Sequence, residues 1–170
     1  FQTRMFRWGP HFGEEPPISG SNGSGTLFFS HCTLKCIYCQ NSKWSNGGQG
    51  EDLSIESLTD HFRFLVEKKC HNWNLVSPTP WLPQIEKAVM PLLEDGIRLP
   101  FVYNTSGYER IETLSKYSHL IDIALTDLRY ASPDTATEGS DARNYVDSAR
   151  ASIHWMRKTL GPLQCDGDGI

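Results

Sequence analysis

Three thiols fall within eight residues in the stretch His31-Cys32-Thr33-Leu34-Lys35-Cys36-Ile37-Tyr38-Cys39-Gln40-Asn41. Three thiolates from one tight loop suit three irons of a cubane cluster, and the metal itself keeps them deprotonated. The fourth iron is then open to a small molecule. Zinc is the alternative, with His31, His61, Cys70 or His71 completing the set, although zinc favours four ligands, often as paired Cys-x2-Cys elements. A plain electron carrier is a third reading, but it normally takes a fourth cysteine. Cys70 closes a helical pattern and Cys165 sits in a polar tail, so both read as ordinary thiols. Five cysteines is an odd count, which argues against a secreted disulfide framework.

The rest of the 170 residues must position that loop. With 38% hydrophobic and 21% charged residues the chain has the profile of one soluble globular domain. A net charge of -4 without a basic run excludes an electrostatic nucleic-acid footprint. Apolar runs fall far short of the roughly 18 residues that a membrane span needs, and the first residues hold no signal-peptide core, so a cytoplasmic location is expected.

Apolar runs at Thr26–Ser30, Trp73–Val76, Phe101–Asn104 and Leu120–Leu125 predict four buried strands. Between them, Ile55, Leu58, Phe62, Leu65 and Val66 share a helical face behind the cap Ser54, ending near Lys69. Leu82, Ile85, Val89, Leu92 and Leu93 form a second helix that Pro91 should kink or break. Tyr108 to Tyr117 and Ala142 to Leu160 supply two more. Strand and helix alternating four times predict a parallel sheet covered by helices, with the chemistry at the carboxyl ends of the strands. The chain is too short for a closed eight-stranded barrel, which takes about 250 residues.

The spacing CxxxCxxC, with Tyr38 before the third cysteine, resembles the signature of the radical S-adenosylmethionine enzymes. The segments Glu14-Glu15-Pro16-Pro17-Ile18-Ser19-Gly20, Cys39-Gln40-Asn41 and Asn74-Leu75-Val76-Ser77-Pro78-Thr79 resemble the pyruvate formate-lyase activating enzyme-like branch. The resemblance implies a [4Fe-4S] cluster on Cys32, Cys36 and Cys39, whose open iron chelates the methionine part of S-adenosylmethionine. One electron from the reduced cluster then breaks a sulfur–carbon bond to give methionine and a 5′-deoxyadenosyl radical. No catalytic side chain beyond the cluster and cofactor ligands is implied. The implied partners are a glycyl-radical enzyme as protein substrate and an electron donor such as flavodoxin or ferredoxin. A radical enzyme acting on a small molecule and a zinc-binding or non-catalytic scaffold domain are the alternatives.

The same resemblance distributes cofactor contacts over the strand ends. Tyr38 would meet the adenine. Ser77 and Thr79 stand where many relatives carry Gly-Gly-Glu, and they would hold the ammonium group through the Ser77 carbonyl or a hydroxyl. Asn104 and Ser106 would bind the ribose diol, and Arg129 would grip the carboxylate, with Asp127 orienting Arg129 or binding a cation. A rigid turn, a helix-capping turn and an ordinary ion pair are the structural alternatives for the last three segments. The implied fold is α/β, a partial (β/α) TIM-like barrel with about four βα units of a six-unit core. Residues 1–24 are then a lead-in, 25–161 the partial core and 162–170 a truncated tail, so that a fragment carrying the cluster site but not active alone is expected.

Overall fold

Leu27 and Phe29, Trp73 and Leu75, and Phe101 and Tyr103 are pairs spaced by two, and on a strand such pairs turn to one face. All six side chains are fully buried in one apolar cluster. The computed structural model describes residues 2–166. It places these pairs on β2 (Ser24–Phe29), β4 (Trp73–Val76) and β5 (Phe101–Thr105), which run parallel to one another, with β6 (Ile123–Thr126) parallel beside β5. Two further strands extend the sheet on the other side. β1 (Thr3–His11) pairs antiparallel with β2, and β3 (Glu51–Leu53) pairs antiparallel with β1. The result is a mixed α/β fold on a six-stranded sheet in the order β3-β1-β2-β4-β5-β6.

The helix-facing layer is filled by α3 (Ile55–Glu67) and α4 (Leu82–Glu94), whose Leu58, Phe62, Leu65, Ile85, Val89 and Leu92 are fully buried against the three strand pairs. Ser54 starts α3 as expected, its hydroxyl accepting from the Ser57 N–H at 3.1 Å. Gly25 lets β2 approach its neighbours, since a Cβ there would sit 2.5 Å from the Asn72 carbonyl oxygen.

Four sequence expectations change. The lead-in contains the nine-residue strand β1, which no alternating apolar pattern announces because a register shift between Met5 and Arg7 interrupts it. Pro91 does not end its helix, which runs on to Glu94; a proline so near the terminus costs few further backbone bonds. The helix expected from Tyr108 begins at Ile111 as α5 (Ile111–Lys116), and Ser118–Leu120 is a 3-10 turn rather than the start of a strand. The helix expected from Ala142 begins at Tyr145 as α7 (Tyr145–Leu160), and a further helix that was not expected, α6 (Pro133–Ser140), precedes it, with Asp141 in the left-handed region between them. Of the expected tail, residues 167–170 lie outside the described residues.

Candidate functional site

Phe28, Val76, Asn104 and Leu125 stand in one register row across the four parallel strands, so the four segments that follow these residues leave the sheet at the same edge. Those segments are the cysteine loop, Ser77–Thr79, Asn104–Ser106 and Asp127–Arg129. The tertiary structure therefore places the three-cysteine loop and the expected cofactor contacts at one edge of the sheet, while Cys70 lies in the helix-facing layer and His71 and Cys165 line a cavity elsewhere.

The cysteine loop is tied at both flanks. The Cys32 N–H donates to the Ser45 carbonyl at 2.9 Å, on the short helix α2 (Ser42–Ser45), and the Ile37 N–H donates to the Gly139 carbonyl of α6 at 2.9 Å. Cys36 is buried in a second apolar cluster with Leu34, Tyr130, Ala136 and Tyr145, and the half-buried Cys32 and Cys39 pack against the same cluster. The Leu34 N–H donates to Cys32 Sγ at 3.5 Å, and Cys39 Sγ lies 3.2 Å from Ser45 Oγ. Tyr38 is exposed, its ring edge-on to Tyr130 at 6.1 Å. His31 is exposed beside the loop, tilted against Trp81. Among the described residues, no three His, Cys, Asp or Glu side chains converge closely enough to hold a single metal ion.

Arg129 closes the site from the β6 side. Its guanidinium pairs with Asp127 Oδ2 at 2.5 Å. Burial disfavours the guanidinium charge, but Asp127 and then the Cys36, Tyr38 and Cys32 side chains outweigh it and hold the group above its usual range. Asp127 thus orients Arg129, and Arg129 lies within electrostatic reach of the thiol loop.

Two buried residues that sequence reasoning passed over hold the loops in place. Tyr145 was legible only as an apolar position of the last helix. Its hydroxyl donates to the Ser106 carbonyl at 2.7 Å and accepts from the Arg129 N–H at 2.8 Å, joining the ends of β5 and β6. Glu109, 4% exposed, accepts at Oε1 from Thr79 Oγ1 at 2.7 Å and from Thr105 Oγ1 at 2.5 Å. Thr79 Oγ1 is also 2.9 Å from the Tyr103 hydroxyl. The Thr79 proton goes to Glu109, which leaves the hydroxyl oxygen to act as an acceptor. Ser77 keeps its expected place, in the left-handed backbone region at φ 55°, with its N–H bound to the Asn104 carbonyl at 3.0 Å. Ser106 Oγ is buried with no hydrogen-bond partner, and an orphaned hydroxyl of this kind suits a bound polar group.

Burial pushes the Glu109 carboxyl above the ordinary value of 4.5, while the hydroxyls of Thr105, Thr79 and Tyr103 pull it part of the way back. The fold therefore favours the neutral acid. Its contribution to stability is complete below pH 4.5 and is lost as pH rises from there through the raised folded value. Glu109→Gln mimics the neutral form and removes that dependence. Urea midpoints taken between pH 5 and pH 8 are expected to fall less in the variant than in the wild type. Parallel curves would mean that Glu109 stays ionised.

A cavity of about 690 Å³ lies elsewhere, lined by Asn72, Pro100 and Asp122, which precede β4, β5 and β6, together with Ile123, Met156 and Arg157. Its place at the amino ends of the strands separates it from the thiol loop.

An uncharacterized protein of Methanocaldococcus jannaschii is 28% identical over 147 residues, covering 81% of this chain and 41% of that protein. The chain thus spans less than half the length of the relative it matches. No family model matches the chain. Among the described residues, no helix is long and apolar enough to cross a membrane.

Proposed function

We propose that the chain is the cofactor-binding core of a radical S-adenosylmethionine enzyme, a partial (β/α) TIM-like barrel that cleaves the cofactor reductively and passes the radical to a glycyl-radical enzyme. The observation that carries this reading is the common sheet edge shared by a three-thiol loop and three polar strand ends.

The donor chemistry fits. Cys32, Cys36 and Cys39 would hold three irons of a [4Fe-4S] cluster. The lack of a tight ligand group does not weigh against it, because a cubane spreads its thiolates over separate irons, whereas a single zinc gathers them at about 2.3 Å each. The chemistry that a reduced cluster supplies is one electron, which splits the sulfonium of S-adenosylmethionine into methionine and a 5′-deoxyadenosyl radical.

This chain's own residues bind and orient. Arg129, held by Asp127, offers a planar two-donor face to the methionine carboxylate. The Ser77 carbonyl and the Ser77 and Thr79 hydroxyl oxygens offer acceptors for the ammonium group, the Thr79 proton being directed to Glu109. Asn104 and the orphaned Ser106 hydroxyl offer partners for the ribose diol. Tyr38 lies on the exposed side of the loop, where an adenine ring would be met. A cytoplasmic setting with flavodoxin or ferredoxin as reductant follows from the same reading.

Anaerobic reconstitution with iron and sulfide tests it, followed by reduction in the presence of S-adenosylmethionine. Close to four irons and four sulfides per chain and release of 5′-deoxyadenosine are expected from cluster stoichiometry. Tight zinc with no sulfide uptake would overturn the reading in favour of a zinc-stabilised scaffold. A glycyl signal in spin resonance on a candidate partner identifies the protein substrate, and its absence alongside turnover of a small molecule would replace that partner.

A further inference from the structure

Tyr103 and Thr105 are spaced by two on β5, and Tyr103 belongs to the layer between the sheet and the helices. Glu109 reaches Thr105, so its carboxyl lies beneath the strand ends rather than above them. There it joins two segments, one four residues before it and one 30 residues before it in the chain. One is the turn after β4, through Thr79. The other is the loop after β5, through Thr105, whose Oγ1 in turn accepts the Gly107 N–H at 3.2 Å. The far side of that loop is bound to α7, where Ser148 Oγ donates to the Glu109 carbonyl at 2.9 Å and Ser152 Oγ donates to the Gly107 carbonyl at 2.6 Å. Glu109 Oε2 is buried with no hydrogen-bond partner.

We infer that Glu109 is a positioning residue that clamps the turn after β4 to the loop after β5, so that Ser77, Asn104 and Ser106 face S-adenosylmethionine as one surface. The inference rests on the function proposed above for the ligand, but the clamp itself is a property of this chain. Glu109 touches no cofactor; it acts through Thr79 and Thr105. Glutamine replaces the side chain isosterically, and its carbonyl accepts the same two hydroxyls, whereas alanine leaves both threonines without an acceptor.

The test compares the wild type with Glu109→Ala, Glu109→Gln and Thr79→Val, each reconstituted anaerobically, in two measurements. Equilibrium dialysis reads the affinity for S-adenosylmethionine. Hydrogen exchange reads local opening at residues 77–81 and 104–108 against α3 and α4. Glu109→Ala and Thr79→Val are expected to weaken binding about tenfold, the scale of one or two lost buried hydrogen bonds, at unchanged iron and sulfide content. Both segments should gain exchange while α3 and α4 keep theirs, and Glu109→Gln should restore both readouts. Wild-type affinity in Thr79→Val and Glu109→Ala, or exchange rising equally in α3 and α4, would overturn the inference. If Glu109→Ala does not fold, Thr79→Val decides it. A wild-type chain that loads a cluster yet takes no S-adenosylmethionine would remove the proposed function and the ligand named here, while the exchange measurement still decides the clamp.

Discussion

Cys36→Ala is expected to abolish both cluster assembly and the release of 5′-deoxyadenosine. Cys36 is the buried member of the three thiols and lies in the cluster formed with Leu34, Tyr130 and Tyr145. On the proposed reading its loss would leave one iron without a protein ligand, and two half-buried thiols on a surface loop would not hold a cubane against solvent. The protein should still fold, since exchanging a small buried thiol for a methyl group removes little packing. Cys70 supplies the control. It is equally buried but sits in the helix-facing layer, where burial pushes its thiol up, out of the reactive range. Iron and sulfide per chain, measured after reconstitution, should fall towards zero in Cys36→Ala and stay at the wild-type level in Cys70→Ala. Full loading of Cys36→Ala would show that the ligands lie elsewhere.

Trp73→Ala should cost about 3–5 kcal/mol, the range for deleting a large aromatic from a core, and so consume much of a typical domain's roughly 5–15 kcal/mol. Trp73 is fully buried on β4, with its ring centroid 5.2 Å from Phe62 and 5.1 Å from Phe101, and its Nε1–H donates to the Phe62 carbonyl at 3.1 Å. It therefore joins the sheet to α3 by packing and by a buried hydrogen bond at once. Trp73→Phe keeps an aromatic ring in place and should lose distinctly less. Urea unfolding separates the two variants, and an alanine variant within about 1 kcal/mol of the wild type would mean that the surrounding side chains collapse into the space.

The comparison of expectation with structure divides along physical lines. Short apolar runs and helical spacing are local signals, and Trp73–Val76, Phe101–Thr105 and Ile55–Glu67 emerge close to where they were expected. β3 escaped because it is three residues long and begins with two acids, Glu51 and Asp52, which give no buried face. α6 escaped for a related reason. Ser132 caps it, with Pro133 first and Asp134 in the first turn, but the body Thr-Ala-Thr-Glu-Gly-Ser shows no apolar face. Ala136, Gly139 and Ser140 are its buried positions, and a Cβ on Gly139 would lie 2.6 Å from the Tyr130 hydroxyl. Small residues are required there because Tyr130 and the cysteine loop press against that face.

By itself, the sequence determined the three-thiol loop, the parallel strands and the end of each strand at which polar residues gather. All of these follow from chemistry or periodicity within about ten residues of chain. Only the tertiary structure decided which polar groups remain available. Thr79 reads in sequence as a cofactor contact, and its proton goes to Glu109, an acid 30 residues away that no local pattern distinguishes, so that only its acceptor capacity remains. Arg129 reads as an ion pair or an anion grip, and its place beside the thiol loop depends on β6 lying next to β5 in register with β2. Hydrogen-bonding partners at long range are set by strand order and register, and those are settled by the packing of whole faces rather than by any one segment.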